Sequence, residues 1–186
     1  MKRRTLLTAF VRAVFATFAC SNSRAQSTPA TTQAKPTVGV LHGAELEKLI
    51  PPSVFFQGQS ATVQLRNAGG VRFPGNAVMF AVKVDTGGYA TSVQERYQDY
   101  LITETPLLIG EGSAAKTLAP GAYGVGFTEA DGFLVMDIAG HTLFAVPAQS
   151  DKALRRPTPL QVLAEGTGFR LYSGRTYVTF APASQQ

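Results

Sequence analysis

The stretch LAPGAYGVGFTEADGFLVMDIAGHTLFAV, Leu118 to Val146, decides the fold. It holds three apolar segments, 122–128, 133–138 and 141–146, separated by Glu129–Gly132 and Ala139–Gly140. Segments this short, with turn chemistry at both joints, predict three antiparallel strands in a meander rather than helices. In the first, Tyr123, Val125 and Phe127 share one face, and only Gly124 and Gly126 lie on the other. Glycine weakens a strand, so its repeated use predicts that something packs close against the bare face. In the second, Leu134, Met136 and Ile138 share a face and Phe133 and Val135 occupy the opposite one. Apolar residues on both faces predict a central strand covered on both sides.

Working outward, the chain of 186 residues divides by composition. Residues 1–25 read as an export signal. Lys2, Arg3 and Arg4 form a positive start, Ala13–Cys20 an apolar stretch, and Ser23-Arg24-Ala25 a small-residue cleavage site before Gln26. The apolar run falls short of the roughly 20 residues a membrane-spanning helix needs. Arg3-Arg4 followed by Thr5-Leu6-Leu7 also resembles a twin-arginine export signal, and Cys20 offers a third outcome, lipid attachment. Residues 26–36 form a Ser/Thr/Pro/Gln-rich flexible linker. Residues 37–181 read as a single β domain, and 182–186 as a fraying tail. A periplasmic or secreted location follows, without a transmembrane span once the signal is cleaved.

Cleavage changes the charge. The formal net charge of +5 comes from 17 Lys+Arg against 12 Asp+Glu, and five of the basic residues precede Gln26. The remainder carries twelve of each sign. Without excess positive charge it has no general attraction for a phosphate backbone, which argues against nucleic acid as a partner. The single cysteine, Cys20, also falls in the signal, so the mature domain is expected to hold no disulfide, thiolate metal site or cysteine nucleophile. About 145 residues without staples are enough to bury one core.

Along the domain, Ala44–Ile50 has helix formers with Leu46, Leu49 and Ile50 at helical spacing, stopped by Pro51-Pro52. Val54–Phe56 and Ala61–Arg66 flank Gly58-Gln59 as strands, Asn67–Gly70 reads as a turn, and Val78–Asp85 as a strand. In Tyr89–Leu101, Tyr89, Val93, Tyr97, Tyr100 and Leu101 recur at helical intervals, which predicts a helix lying across the β structure. Its tyrosines line a carbohydrate or peptide groove on one reading and are core residues on the other. Ile102–Ile109, Leu160–Leu163, Phe169–Tyr172 and Thr176–Phe180 add strands. Asp151, Lys152, Arg155 and Arg156 belong to a surface connection.

Little of this carries chemistry. Asp85-Thr86-Gly87, at the end of an apolar strand, resembles the catalytic loop of aspartic proteases, single-lobe retropepsin-like forms included. The resemblance implies Asp85 as acid/base in a dimer whose paired aspartates share a proton. Leu107-Leu108-Ile109-Gly110 resembles the apolar-apolar-Gly element that supports that loop. Against it stand Gly88 where the family has Ala or Ser, Lys83 in the lead-in, and no second such triplet. A turn with an N-terminal cap explains the same residues. His42 and His141 stand roughly a hundred residues apart, without ligand spacing. Gly58-Gln-Ser60 and Gly112-Ser113 lack the closing glycine of a nucleophile elbow. Glu129 and Asp131 lack the ligand ladder of an EF-type calcium loop.

These observations predict a mainly β, antiparallel sandwich or partly open barrel of about eight to ten strands with one or two short helices. No catalytic, cofactor or metal residues are assigned. The expected function is an exported, non-catalytic binding or interaction module of the cell envelope, taking a protein, peptide or glycan. The Gly124/Gly126 face and the tyrosine stripe are its expected contact surfaces; the alternative is the dimeric aspartyl hydrolase on Asp85.

Overall fold

The computed structural model describes residues 39–183. The segments expected to be an export signal (1–25) and a linker (26–36), and residues 184–186, lie outside the described residues. In chain order the elements are β1 (Gly39–Leu41), α1 (Ala44–Glu47), β2 (Ser53–Phe56), β3 (Gln59–Arg72), β4 (Val78–Val84) and α2 (Thr91–Gln94). There follow β5 (Asp99–Thr103), β6 (Leu107–Ile109), β7 (Lys116–Leu118), β8 (Gly121–Thr128) and β9 (Gly132–Met136). The chain ends with β10 (Thr142–Val146), β11 (Gln149–Ser150), β12 (Gln161–Glu165), β13 (Gly168–Ser173) and β14 (Thr176–Pro182).

All pairings are antiparallel, and the strands form two sheets without a closed barrel. The larger, eight-stranded sheet runs β1-β3-β4-β5-β8-β9-β10, with β2 paired to the start of β3. The six-stranded sheet runs β12-β13-β14-β6-β7, with β11 beside β14. Fourteen strands among the described residues therefore replace the eight to ten expected, because short bridging strands such as β1, β7 and β11 leave little trace in composition.

The predicted meander is present as β8-β9-β10, and Phe127 pairs with Phe133 across the first turn. Its central strand is buried on both sides, as its apolar faces require. Phe133 and Val135 join Val71, Met79 and Leu101 in the core between the sheets. Leu134 and Met136 face a second core on the other side, with Phe80, Val82 and Phe56. Ile138 lies beyond the strand and is exposed.

That second core is roofed by the chain's own excursions. The β2–β3 hairpin turns at Gln57 and Gly58, both at positive φ, the twist a two-residue hairpin turn requires. It lays Val54, Phe56, Ala61 and Val63 over the sheet. Leu46 of α1 and Ile50, three residues beyond it, add to the roof, the face their spacing predicted, although the helix itself is only one turn.

Three local expectations are corrected. Residues 67–70 do not turn: β3 runs on to Arg72 with its pairing shifted between Val63 and Ala68. The glycines there serve packing, since a Cβ on Gly69 would stand 2.6 Å from the Val162 amide nitrogen and one on Gly70 2.7 Å from Leu46. The helix over 89–101 is confined to α2; Asp99 to Thr103 instead form a strand between β4 and β8. Sheet burial of Leu101 on one face and Tyr100 on the other outweighs the helical spacing. The tail does not fray at Pro182, which pairs with Leu107, and the Ala183 N–H donates to the Pro106 carbonyl.

Candidate functional site

Both surfaces expected to meet a ligand are interior. Gly124 lies under the Phe56 ring, so close that a Cβ would come within 2.3 Å of it. Gly126 takes the Arg96 carbonyl oxygen against its bare face. The prediction that something packs there holds, but the partner is the protein itself. Tyr89, Tyr97 and Tyr100 are all buried in the second core. Tyr97 stacks on Phe56 with ring centroids 3.9 Å apart, and burial pushes its hydroxyl far above the ordinary phenol value. The Tyr89 hydroxyl donates to the Phe56 carbonyl at 3.1 Å. These rings are core residues, and neither expected contact surface is open.

Asp85 is exposed at the end of β4, and its Oδ1 accepts the Gly87 N–H at 3.0 Å, an Asx turn. It does not cap α2, which has no side-chain cap. Leu107–Ile109, the candidate supporting element, is β6 of the other sheet. His141 is exposed and pairs with Asp137 at 3.0 Å. The backbone N–H of His141, with that of Ala139, holds the Asp137 carboxyl below the ordinary range. This closes a turn. His42, Arg155 and Arg156 are exposed.

A different surface emerges from the strand register. On β13 and β14 alternate residues point away from the core: Arg170 and Tyr172 on one strand, Tyr177, Thr179 and Ala181 on the other. Neither core cluster includes them. Tyr172 and Tyr177 pair directly, with ring centroids 5.1 Å apart, and the Arg170 guanidinium lies 4.4 Å over the Tyr177 ring. Arg170 also donates to Glu165 Oε1 at 2.9 Å and to the Tyr172 hydroxyl at 3.4 Å. That Tyr172 bond is the foremost cause holding its guanidinium above the ordinary value.

The loop over 151–160 closes one end of this face. Asp151 Oδ1 accepts the N–H groups of Ala153 and Leu154, and its Oδ2 accepts the Tyr172 hydroxyl at 3.1 Å. Arg175 donates to the carbonyls of Lys152 and Leu154. At the other end the face is open, with Leu108 42% exposed and Leu163 36% exposed.

Thr179 sits between two hollows on this face. One, of about 220 Å³, is lined by Gly110, Glu111, Ala114, Pro147, Gln149 and Thr179. In it Gln149 donates to Glu111 Oε2 at 2.9 Å and accepts the Tyr177 hydroxyl at 2.6 Å. The other, of about 130 Å³, lies among Leu108, Gly110, Glu165, Gly168, Thr179 and Ala181. Gly110, at φ 94°, turns the chain out of β6 between the two while its N–H donates to the Thr179 carbonyl at 2.8 Å. Three polar atoms of this sheet, Thr179 Oγ1, Arg170 Nε and Gln161 Nε2, are buried with no hydrogen-bond partner among the described residues.

Of these residues the sequence singled out Asp151 and Lys152, as part of a surface connection, and Leu108 and Gly110, in the element resembling a protease support, but not as members of one site. The alternation in Phe169–Tyr172 and Tyr177–Phe180 was the available signal. Only the pairing of Arg170 with Thr179 shows that they share a site. The set holds carboxylates, amides, a guanidinium and hydroxyls, but no histidine or cysteine. No group of three or more His, Cys, Asp or Glu residues able to hold a metal occurs among the described residues. No helix among them is long and apolar enough to cross a membrane. In comparisons with known proteins, no family model, no curated protein and no solved structure matches the chain.

Proposed function

We propose that the chain is an exported, non-catalytic binding module of the cell envelope, which takes its ligand on the outer face of the six-stranded sheet. One observation carries the reading. Thr179 Oγ1, Arg170 Nε and Gln161 Nε2 are withdrawn from solvent on or beside that face with no hydrogen-bond partner among the described residues. A buried polar atom left unpaired costs about 1–3 kcal/mol, a cost that a ligand able to reach it relieves. The apolar sides of the eight-stranded sheet are both closed, so this face is the large one with polar groups to offer. The export half of the reading rests on the leader-like composition of residues 1–25.

The test is to produce the full chain with a C-terminal tag, fractionate the cells and sequence the N-terminus. The reading expects a chain beginning at Gln26 outside the cytoplasm that co-sediments with isolated envelope. A cytoplasmic chain with Met1 intact removes the export half. Failure to co-sediment removes the binding half.

A further inference from the structure

We infer that the corner made by the β2–β3 and β9–β10 turns rests on a lipid surface, dipping into the headgroup layer of a bilayer without crossing it. The corner is distinct from the outer face of the six-stranded sheet. It carries the three most exposed large apolar side chains among the described residues, Phe55, Ile138 and Leu143, at 57, 51 and 48%. Backbone contacts bring them together. Phe55 stands two residues before Gln57, whose N–H donates to the Ile138 carbonyl at 2.8 Å and whose side chain lies against Gly140. Leu143 sits at the bulge by which β10 leaves the same turn.

Charge is nearly missing from both turns. Residues 49–65 and 138–150 contain no Asp, Glu, Lys or Arg and are the two longest such stretches between 39 and 183. The β2–β3 turn comes from the first and, apart from Asp137 at its start, the β9–β10 turn from the second. Of the charged groups bonded to these turns, Asp137 is paired with His141 at 3.0 Å and Arg96 donates to the Thr142 hydroxyl. One carboxylate and one guanidinium offset each other, which gives an anion or a cation little to bind. An apolar medium, by contrast, takes three large side chains out of water.

The backbone of the corner suits lipid. A peptide group left unpaired away from water is costly, so a segment that enters a bilayer closes its own hydrogen bonds. The Tyr89 hydroxyl bonds the carbonyls of Phe56 and Gln59 at 3.1 and 3.2 Å. The Gly140 N–H donates to the Asp137 carbonyl, and Asp137 Oδ1 accepts the N–H groups of Ala139 and His141. A peptide partner would instead add a strand to the edge of β10. That edge is broken by the bulge between Thr142 and Phe144 and ended by Pro147, both devices that blunt an edge. Three side chains bind more weakly than one acyl chain, itself a marginal anchor. The contact therefore orients the domain at a surface without holding it there alone, and retention on isolated envelope still reports the outer face.

The experiment uses the full chain, which has no tryptophan. Phe55→Trp places a single indole at the corner, and Leu65→Trp places one at an exposed apolar position further along β3. Each is titrated with phosphatidylcholine vesicles. The emission of Phe55→Trp is expected to shift to the blue and that of Leu65→Trp to stay. Adding Ile138→Ser and Leu143→Ser to Phe55→Trp should weaken the partition about tenfold or more. The melting temperature should not change, since both side chains are exposed. High salt and added phosphatidylglycerol should alter the partition less than about twofold. No blue shift, an equal shift from Leu65→Trp, or equal partition after the two serine exchanges overturns the inference. So does binding that requires phosphatidylglycerol and is lost in salt, which belongs to surface charge. Self-association that ends with the serine exchanges, without vesicle binding, gives the corner to a second copy and overturns the lipid. None of these readings depends on Thr179, so the corner and the outer face fail separately.

Discussion

Lys83 and Asp99 face each other across β4 and β5, Nζ to Oδ1 at 3.2 Å, with the Asp99 carboxylate fully buried and its Oδ2 unpartnered among the described residues. Val125 of β8 lies on the other side of Asp99. Burial raises the Asp99 carboxyl to about 6, and Lys83 offsets only part of that. A carboxyl whose folded value is raised binds its proton more tightly in the folded state. Its contribution to stability is therefore full below pH 4 and is lost as pH rises through about 6. Chemical denaturation should show stability falling by on the order of 2–3 kcal/mol across that window, and Asp99→Asn should flatten the slope. Lys83→Met removes the cation that pairs with Asp99 among the described residues. Its cost at pH 8 should lie toward the low end of about 3–5 kcal/mol, since Lys83 is partly exposed, and should shrink at pH 4.

Tyr97 separates packing from polarity. Its ring is fully buried against Phe56 and Tyr89, yet its hydroxyl has no partner among the described residues. Tyr97→Phe removes only the orphan, so stability should hold or rise by up to about 1 kcal/mol. Tyr97→Ala empties the stack and should cost about 3–5 kcal/mol, read as a lower denaturation midpoint. A folded, equally stable Tyr97→Ala protein would return the ring to the surface.

The glycine face of β8 makes a graded prediction. A methyl on Gly124 meets the Phe56 ring, which can shift, whereas one on Gly126 meets the Arg96 backbone, which can shift only by moving the segment around it. Gly124→Ala should cost about 1–3 kcal/mol and Gly126→Ala at least as much. Thermal unfolding of the two variants side by side checks the order.

Asp151 is the pin of the loop that covers Tyr172. Asp151→Ala removes two turn bonds and the acceptor of the Tyr172 hydroxyl together. A loss of about 1–3 kcal/mol is expected, with faster hydrogen exchange confined to 152–158.

Much of the fold was legible because strand periodicity is local. Phe133 to Met136 displayed both buried faces, and Gly124 and Gly126 announced a close neighbour without naming it. Where Tyr89 to Leu101 went astray, a helical spacing of large residues coincided with two separate elements. Tyr89 and Tyr97 cover the sheet from above while Tyr100 and Leu101 lie within it. Gly69 and Gly70 misled in the same way, for a glycine pair marks a turn and a tight crossing alike. The candidate site was out of reach for a different reason. Glu111, Gln149 and the Arg170–Thr179 pair come from three separate segments, and only the pairing of β14 with β13, β6 and β11 assembles them. Asp85, the residue whose motif drew attention, closes a turn.

The outer face of the six-stranded sheet is most directly tested by retention on isolated envelope, comparing Thr179→Val with Thr62→Val, the same exchange at an exposed position of β3. The account predicts that Thr62→Val is retained like the wild-type chain and that Thr179→Val is released. Equal retention of the two variants would contradict it.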